Sequence, residues 1–417
     1  MTKVFIAGTF DILHPGHINL IKQARGLGDF LVVVLARDQN VIKVKGRSPY
    51  FNERQRLENL INLMQKSKFK NFNKVILGDL NDPYMIINEE KPDIIALGYD
   101  QERFVEGLKS KTQDSRFKTK IIRLPPFKEN VCKGKNIRQA IEDSQSGFLL
   151  IDKPMDWTSH DVVAKLRSIT KIKQIGHTGT LDPFATGLLI CAIGQATKLV
   201  GMFDLLSKTY EAIVRLGVVS DTYDRTGKIT KLKEPGTKQI QNQKSEIQTI
   251  LQSFIGKQQQ VPPMFSAKKV HGKKLYELAR KGQIIERRPS EVEIYEIEEL
   301  GTLRLRSGRV RNKPARHSPA RPASRSEAGE AKPMAGGELR IRVKCSTGTY
   351  IRTLAHNIGQ KLGCGAILWE LKRTAIGDFT VNQAVQLNQL NQNNYPDYFI
   401  KPLAALESIN TFYFKNG

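Results

Sequence analysis

Residues 8–17, with the sequence GTFDILHPGH, place two histidines three positions apart among glycines. The segment follows a short apolar run and opens a helical pattern, so the histidines fall at the N-terminus of a helix. A helix N-terminus attracts anions because its first N–H groups have no intrahelical acceptor. His14 and His17 can therefore both face a bound triphosphate and stabilise the charge that develops on its α-phosphate.

A second segment, residues 174–189, reads QIGHTGTLDPFATGLL and is a loop dense in Gly and Thr. It carries a single carboxylate, that of Asp182. An Asp-Pro pair in such a loop is by itself typical of a turn. The residue types alone are compatible both with a turn and with a reactive carboxylate.

Short apolar runs alternate with helical patterns over residues 1–143, which is typical of a parallel sheet with crossover helices. The predicted strands are 3–7, 30–36, 74–77, 93–97 and 120–124, and the predicted helices are 17–27, 52–66 and 84–90. These elements predict a doubly wound, Rossmann-like α/β domain. Ligands bind such domains at the carboxyl ends of the strands, where residues 8–17 begin.

Residues 147–417 mix amphipathic helices with alternating strands and predict an α+β domain, which follows a short polar helix at 136–144. Helical patterns occupy 162–170, 244–254 and 353–362, and strand patterns occupy 209–217, 291–300 and 338–345. Between the last two strands, residues 302–337 hold nine basic and two acidic residues and few large apolar ones. Such a segment cannot bury enough surface to offset its chain entropy, so we expect a disordered basic insert that replaces a hairpin turn.

The net charge is the most informative number in the composition. Lys and Arg number 66 against 41 Asp and Glu, a formal net charge of +25, which points to a polyanion such as nucleic acid. No apolar run is long enough to cross a bilayer and the N-terminus lacks the pattern of a signal peptide, so we expect a cytoplasmic protein without membrane contact. The four cysteines form no CxxC pair, so neither a disulfide framework nor a metal site is predicted.

The first 143 residues resemble the cytidylyltransferase-like nucleotidyltransferases, the family of glycerol-3-phosphate cytidylyltransferase and archaeal-type FAD synthase. The resemblance is carried by the GTFDxxHxGH signature, by 97–101 (LGYDQ) and by the basic residues near 45. It implies binding of CTP or ATP with Mg²⁺ and catalytic roles for His14 and His17. The implied nucleotide-binding residues are Gly8, Thr9, Phe10, His14, Gly16, His17, Lys45, Asp100 and Arg138.

One segment departs from that family. Residues 132–138, CKGKNIR, keep the Ile-Arg pair but lack the hydroxyl residues that usually precede it. Lys133 and Lys135 could replace phosphate contacts or could mark a domain that only binds. Activity of this part is therefore left open by the sequence.

The second half resembles the TruB-type tRNA pseudouridine synthases, through GHTGTLDPFATGLL and four further segments in matching order. These are 150–154 with 157–159, 208–217, 261–268 with 272–276, and 345–353. The resemblance implies the pseudouridine-synthase mixed-sheet fold and a reaction that needs no metal or cofactor. It makes Asp182 the essential carboxylate, acting on the sugar or on the base, and the sequence does not decide which.

The same resemblance assigns roles to four other residues. Arg352, expected at the end of a strand, pairs with Asp182 and keeps it ionised. Tyr210 stacks on the target base and serves in proton transfer at C5. His177 assists in flipping the uridine out of the T loop, and Leu371 closes the pocket.

The sequence thus predicts a pseudouridine(55) synthase for the T-stem-loop of tRNA fused to a nucleotidyltransferase-like domain. About 30 residues follow the matching core, too few for an RNA-binding PUA domain, so the insert or the first domain is expected to hold the tRNA. Two alternatives remain: chiefly metabolic nucleotidyl transfer in FAD or CDP-alcohol synthesis, or a non-catalytic tRNA-folding or binding protein. The residues give no signal for an oligomeric state.

Overall fold

The computed structural model describes most of the chain. The described residues are 1–65, 73–82, 84–102, 107–108, 119–128, 131–232, 244–266, 269–270, 273–280, 282–283, 285–301 and 337–416. The basic insert predicted at 302–337 lies outside them apart from Gly337, as does Lys66 at the end of the predicted helix 52–66. Within the described residues, no helix has both the length and the apolar character that crossing a membrane requires.

The first half folds around a parallel sheet. Its strands are β1 Lys3–Gly8, β2 Phe30–Leu35, β3 Asn73–Leu77, β4 Ile94–Leu97 and β5 Lys120–Arg123, and its helices are α1 Pro15–Arg25, α2 Asp38–Lys45, α3 Glu53–Gln65, α4 Met85–Glu90 and α5 Gly134–Glu142. The strand order is β3-β2-β1-β4-β5, and every pairing is parallel. The predicted doubly wound α/β fold is confirmed, and its switch point lies between β1 and β4, where such folds bind ligands.

The sequence of β2 explains why this sheet is buried on both faces. Residues 31–35 are apolar and buried, as expected of a parallel strand covered by helices on both sides. Helix α1 begins with Pro15, whose missing N–H costs nothing in a first turn, and turns Ile18 and Ile21 inward. Strand β1 and helix α1 fix residues 9–14, which lie between them, at the edge of the sheet.

The second half is built on a mixed sheet. Its strands are β6 Gly147–Lys153, β7 Ile175–His177, β8 Thr186–Ile193, β9 Lys208–Leu216, β10 Val218–Ser220, β11 Ile229–Lys231, β12 Gly256–Gln260, β13 Lys269–Val270, β14 Lys273–Lys274, β15 Ser290–Gly301, β16 Glu338–Cys345, β17 Ala366–Ile376 and β18 Phe379–Thr380. Its helices are α6 Ser159–Thr170, α7 Lys244–Gln252, α8 Leu275–Arg280, α9 Ile351–Lys361 and α10 Pro402–Asn416, with a 3-10 segment at Gly194–Leu205. The main path is β12-β15-β16-β9-β17-β8-β6, in which only β17 and β8 pair in parallel among the described residues. The mixed-sheet α+β prediction is confirmed.

Strands β15 and β16 are antiparallel neighbours, and Gly301 pairs with Arg340 at the end where the insert leaves the sheet. The prediction that the insert joins two strands of a hairpin is confirmed. Along β16 the burial alternates, with Leu339, Ile341 and Val343 inside and charged residues between them, as a half-buried strand requires.

The two halves share a hydrophobic cluster. Ile12, between β1 and α1, and Ile137 of α5 belong to the same buried cluster as Phe148 of β6 and Phe203. Because this cluster removes apolar surface of both halves from water, the loop after β1 and helix α5 are packed through it against the second half.

Candidate functional site

Asp182 lies in the loop between β7 and β8, and its carboxylate forms a two-point ion pair with Arg352. The Arg352 Nε lies 3.0 Å from Asp182 Oδ2, and Nη2 donates to Oδ1 at 3.0 Å. The arginine side chain is 6% exposed and the aspartate side chain 29% exposed. The predicted pairing is confirmed, and the pair is open to solvent only on the carboxylate side.

The expectation that Arg352 ends a strand is wrong. Strand β16 stops at Cys345, and the turn that follows is closed by hydrogen bonds between Ser346 and Thr349. Helix α9 then begins at Ile351, so Arg352 is its second residue. From this helix start the guanidinium reaches the carboxylate of Asp182.

A second carboxylate, that of Asp224, holds Arg352 from the other side. Arg352 Nη1 donates to Asp224 Oδ2 at 3.2 Å, and Nη2 also donates to the Phe265 carbonyl at 3.1 Å. The other Asp224 oxygen accepts from the Thr222 hydroxyl and from the Thr226 amide and hydroxyl at 2.6–2.8 Å. Sequence reasoning missed Asp224, although hydroxyl residues two positions away on either side were a signal for a fixed carboxylate.

Burial and the charge of Arg352 have opposite effects on the pKa of Asp182. Burial raises the pKa of the Asp182 carboxyl, the Arg352 guanidinium acts in the opposite direction, and Asp224 raises it again. The bidentate geometry is the one that an ionised carboxylate adopts with a guanidinium. The arrangement is a partly desolvated carboxylate held in one orientation, which is what a carboxylate nucleophile needs.

Tyr210 lies on β9 in register with Arg373 of β17, and the two side chains interact. Burial raises the pKa of the Tyr210 phenol, and the hydrogen bond from Arg373 opposes that change. Arg373 is fully buried and donates to the carbonyls of Leu188 and Gly179 at 2.8 and 3.0 Å. Arg373, another residue that sequence reasoning missed, therefore ties the Asp182 loop to the strand that faces Tyr210.

Leu371 precedes Arg373 by two positions on β17 and is buried. It belongs to the same core cluster as Leu181 and Phe184, which flank Asp182, and Tyr210 packs against that cluster. The structure thus brings Asp182, Tyr210, Arg352 and Leu371 together around one loop.

His177 ends β7, five residues before Asp182, and its ring meets that of His160 edge-on with centroids 5.6 Å apart. Burial, then the neighbouring His160 and Arg373, lower the pKa of His177 to about 4. Its imidazole is therefore neutral at neutral pH and offers an aromatic face and a hydrogen-bonding nitrogen rather than a charge.

Lys153 binds the backbone of the Asp182 loop. It is fully buried at the end of β6, and its ammonium donates to the carbonyls of Pro154, Trp157 and Pro183 at 2.5–3.0 Å. Pro183 is the residue after Asp182, so this lysine fixes the backbone that carries the carboxylate. Burial lowers the pKa of Lys153 to about 8, against the attraction of Asp156 and Asp182.

We expect Lys153→Met to lower the free energy of unfolding by about 2–4 kcal/mol, because three buried carbonyls lose their donor. The folded pKa of about 8 lies below the usual 10.5. The unfolded chain therefore binds more protons between these values, and the contribution of Lys153 to stability rises from pH 8 towards 10.5. Urea unfolding at several pH values measures the wild-type advantage, with exposed Lys165→Met as the control; an advantage that shrinks over this window contradicts the assignment.

The first half has a separate cleft of about 1270 Å³ at the switch point of its sheet. All nine residues predicted to bind nucleotide line it: Gly8, Thr9, Phe10, His14, Gly16, His17, Lys45, Asp100 and Arg138. Lys133 and Lys135 line the same cleft.

The rings of His14 and His17 stack at the N-terminus of α1, with centroids 3.8 Å apart. Burial lowers the pKa of His14 to about 4, and burial together with the neighbouring His14 and Lys45 lowers the pKa of His17 well below its usual value. Both imidazoles are therefore neutral at neutral pH and available as hydrogen-bond donors. The Nδ1 atoms of both rings are buried and accept or donate no hydrogen bond within the described part of the chain.

Three further contacts shape this cleft. The Phe10 ring lies over Gly8 so closely that a Cβ there would meet it at 2.9 Å, which explains the glycine. Lys45 Nζ donates to the Thr9 hydroxyl at 2.9 Å. Fully buried Arg56 binds the carbonyls of Thr9 and Ala36, so a residue that sequence reasoning missed fixes the backbone after β1.

Comparison with known proteins matches different family models to the two halves of the chain. A model of the TruB family pseudouridylate synthase N-terminal domain matches residues 167–311, one of the tRNA pseudouridylate synthase B C-terminal domain matches 352–406, and a cytidylyltransferase-like model matches 5–140. The chain is 40% identical over 267 residues to tRNA pseudouridine synthase B of Clostridium novyi, covering 64% of this chain and 78% of that protein. It is 40% identical over 270 residues to the protein of the same name from Geotalea uraniireducens, covering 64% and 76%.

Two solved structures are also similar. A Cbf5-Nop10-Gar1 complex aligns with 66% of this chain and 63% of that chain at 26% identity and a TM-score of 0.41. A lipopolysaccharide core biosynthesis protein from Thermoplasma volcanium aligns with 30% of this chain and 98% of that chain at 40% identity and a TM-score of 0.27.

The two sheets and their two sites define a two-part protein, in which a cytidylyltransferase-like α/β part precedes a pseudouridine synthase part. The chain belongs to the TruB family of pseudouridylate synthases, which are isomerases.

Proposed function

We propose that this chain isomerises a uridine of tRNA to pseudouridine, at position 55 in the T loop. The observation that carries the proposal is the Asp182–Arg352–Asp224 arrangement, in which a buried guanidinium holds the partly exposed Asp182 carboxylate in one orientation. The relatives named tRNA pseudouridine synthase B support tRNA as the substrate. A tRNA substrate also implies a cytoplasmic enzyme.

The reaction requires three changes at the uridine. The bond from C1′ to N1 breaks, a bond from C1′ to C5 forms, and the proton lost from C5 is balanced by one gained at N1. We assign the nucleophile, acting on the sugar or on the base, to the Asp182 carboxylate, and its orientation to Arg352. We assign stacking on the base and proton transfer at C5 to Tyr210. Every atom of the product comes from the uridine, so these side chains suffice.

The target base must leave the T-loop stack before Asp182 can reach it, at a cost of a few kcal/mol. His177, neutral and aromatic, is suited to occupy the space that the flipped base vacates, and Leu371 to close the apolar side of the pocket. The net charge of +25 provides phosphate attraction for a folded RNA.

A T-stem-loop RNA assay tests the proposal. We expect the full chain to form pseudouridine at the position equivalent to 55 and at no other uridine. Because the two nucleosides have the same mass, the product is read by mass spectrometry of fragments after carbodiimide labelling, which marks pseudouridine. The matched control is the same stem-loop with cytidine at that position, which should give no product. Failure to modify the uridine-containing RNA or full-length tRNA would contradict the proposal.

A second function is favoured by the cleft of the first half, because all nine expected nucleotide ligands line one cavity. We propose that this cleft binds a nucleoside triphosphate, CTP or ATP, with its phosphates at the N-terminus of α1. His14 and His17 would donate hydrogen bonds to the phosphates, and Lys45 would add charge. Asp100, an oxygen donor in the lining of the cleft, would hold the Mg²⁺ that accompanies the nucleotide, and the ion would neutralise phosphate charge.

Binding and turnover are tested separately. Calorimetry with CTP and ATP measures occupancy of the cleft, and release of pyrophosphate with a panel of phosphorylated alcohols and flavin mononucleotide measures transfer. Occupancy with transfer supports a nucleotidyltransferase, and occupancy without transfer on any acceptor supports a cleft that only binds. His17→Ala should weaken triphosphate binding by about tenfold, because one donor to the phosphates is lost.

The lowered pKa of His14 leads to a prediction for the pH dependence of stability. The folded pKa of His14, about 4, lies below the usual 6.5, so its ring stays neutral down to about pH 4. Between these values the unfolded chain binds the extra proton, and stability is lost as the pH falls from 6.5 towards 4. Two-dimensional NMR of the histidine rings measures the midpoint, and a midpoint near 6.5 would contradict the burial of this site.

A further inference from the structure

The last helix of the chain, α10, contacts both halves. Its first turns pack Leu406 and Ile409 into the core cluster that contains Phe148 of β6. Its last turn packs Phe414 against Ile18 of α1, the helix that starts at the nucleotide cleft. The helix therefore connects the sheet of the synthase part to the histidine-bearing helix of the other part.

Asn410 lies between these two contact regions. It is 5% exposed, and its Nδ2 donates to the carbonyl of Leu13 at 2.8 Å. The Leu13 carbonyl belongs to the same peptide plane as the amide of His14. A residue 397 positions away in the sequence thus fixes the orientation of the peptide that leads into the first histidine.

The same loop is held on its other side by apolar packing. Ile12, one residue before Leu13, is buried in the cluster with Leu199 and Phe203 of the synthase part. The His14 carbonyl accepts from the His17 amide at 2.9 Å, so any displacement of His14 is passed to the first turn of α1. Both histidines therefore depend on a loop that receives part of its support from the other half of the chain.

We propose that Asn410 is a positioning residue for the nucleotide cleft, so that the triphosphate site of the first half is completed by the C-terminal helix of the second. This inference rests on the proposed binding of a nucleoside triphosphate in the cleft. Hydrogen bonds to phosphate depend strongly on distance and angle, so a loop released by loss of the Asn410 donor presents the two imidazoles less accurately. By linkage, bound triphosphate in turn stabilises the docking of α10 on α1.

The test compares Asn410→Leu, which keeps the side-chain size but removes the donor, with Tyr413→Phe. The second variant removes a hydrogen bond of the same helix pair, from Asn19 Nδ2 to the Tyr413 hydroxyl at 3.3 Å, and keeps the Asn410 donor to the Leu13 carbonyl. Calorimetry with the full chain measures binding of CTP, ATP and the corresponding free nucleosides. We expect Asn410→Leu to weaken triphosphate binding about tenfold and to leave nucleoside binding unchanged, and Tyr413→Phe to bind both like the wild type.

Two further variants keep the test decisive. Asn410→Gln retains the donor and should recover part of the triphosphate affinity. Asn410→Ala removes the donor without adding apolar bulk and should reproduce the loss if Asn410→Leu folds poorly by circular dichroism. Equal triphosphate binding by the wild type and these donor-free variants would overturn the role of Asn410 alone. Absence of triphosphate binding by the wild type would overturn the cleft assignment and this role together.

Discussion

Asp182→Asn will abolish pseudouridine formation, with a loss of roughly a thousandfold or more, while the chain still folds and binds RNA. Asn has the size of Asp and keeps one oxygen for the Arg352 hydrogen bonds. It lacks the second anionic oxygen, and an amide oxygen is a poor nucleophile towards either the sugar or the base. The loss therefore falls on the chemical step and leaves the RNA-binding surface in place.

Single-turnover kinetics on T-stem-loop RNA and a binding titration with the same RNA separate these two effects. Asp156→Asn is the matched control, because Asp156 is an exposed carboxylate whose amide donates to the carbonyl of Pro183, next to Asp182. Its φ of 63° is one that Asn adopts readily, so this variant should retain the wild-type rate. A wild-type rate in Asp182→Asn would contradict the role assigned to this carboxylate. Wild-type function of the variant in cells without any product would instead favour the non-catalytic tRNA-binding alternative.

The elements of the fold were largely predictable because their signals are local. The uninterrupted apolar run of β2 indicates a strand buried on both faces, and the alternation of β16 indicates a half-buried one. The polar insert between two alternating segments predicted their antiparallel pairing, which the register of Gly301 with Arg340 confirms. The burial pattern of each strand is visible within a dozen residues of sequence.

The partners within the sites were less predictable, because they depend on single contacts between distant residues. Asp182 and Arg352 are 170 positions apart, and only the family resemblance suggested their pairing. The same resemblance misplaced Arg352 on a strand. A few residues of chain after β16 decide whether Arg352 falls on the strand or on the next helix, and the sequence motif is the same in both cases. Asp224 and Arg373 were missed because a buried charge leaves no periodic signal, and its meaning appears only when its partners are in place.

Removing Arg352 is the change with the largest expected effect on stability. In Arg352→Met the carboxylates of Asp182 and Asp224 lose their shared cation while both remain enclosed by the same loops. Breaking a buried ion pair on one side typically costs about 3–5 kcal/mol, because a buried charge is left uncompensated. We expect a loss of that size in the free energy of unfolding at neutral pH, together with loss of pseudouridine formation. Urea unfolding measures the first, and exposed Arg340→Met serves as its control.

The pH dependence of the stability lost in Arg352→Met distinguishes an uncompensated charge from lost packing. Burial already raises the pKa of Asp182 above its usual 3.8, and Arg352 opposes this rise more strongly than Lys153 does. Without the guanidinium the folded pKa increases further, so above about pH 4 the folded state binds more protons than the unfolded chain, and stability falls as the pH rises. The deficit of Arg352→Met should therefore grow between pH 4.5 and 7.5. A deficit that is constant over this range would indicate lost packing instead.

A double substitution tests whether the charge on Asp182 causes the loss of stability in Arg352→Met. If the cost of Arg352→Met is the uncompensated charge on Asp182, then adding Asp182→Asn should recover part of the lost stability, although Asp182→Asn alone improves the wild type little. The interaction free energy of this cycle should be about 1–3 kcal/mol, as is usual for residues in one buried network. Additive effects would mean that the two side chains stabilise the protein independently. Their ion pair would then hold the geometry of the Asp182 loop without adding an interaction free energy to the stability of the fold.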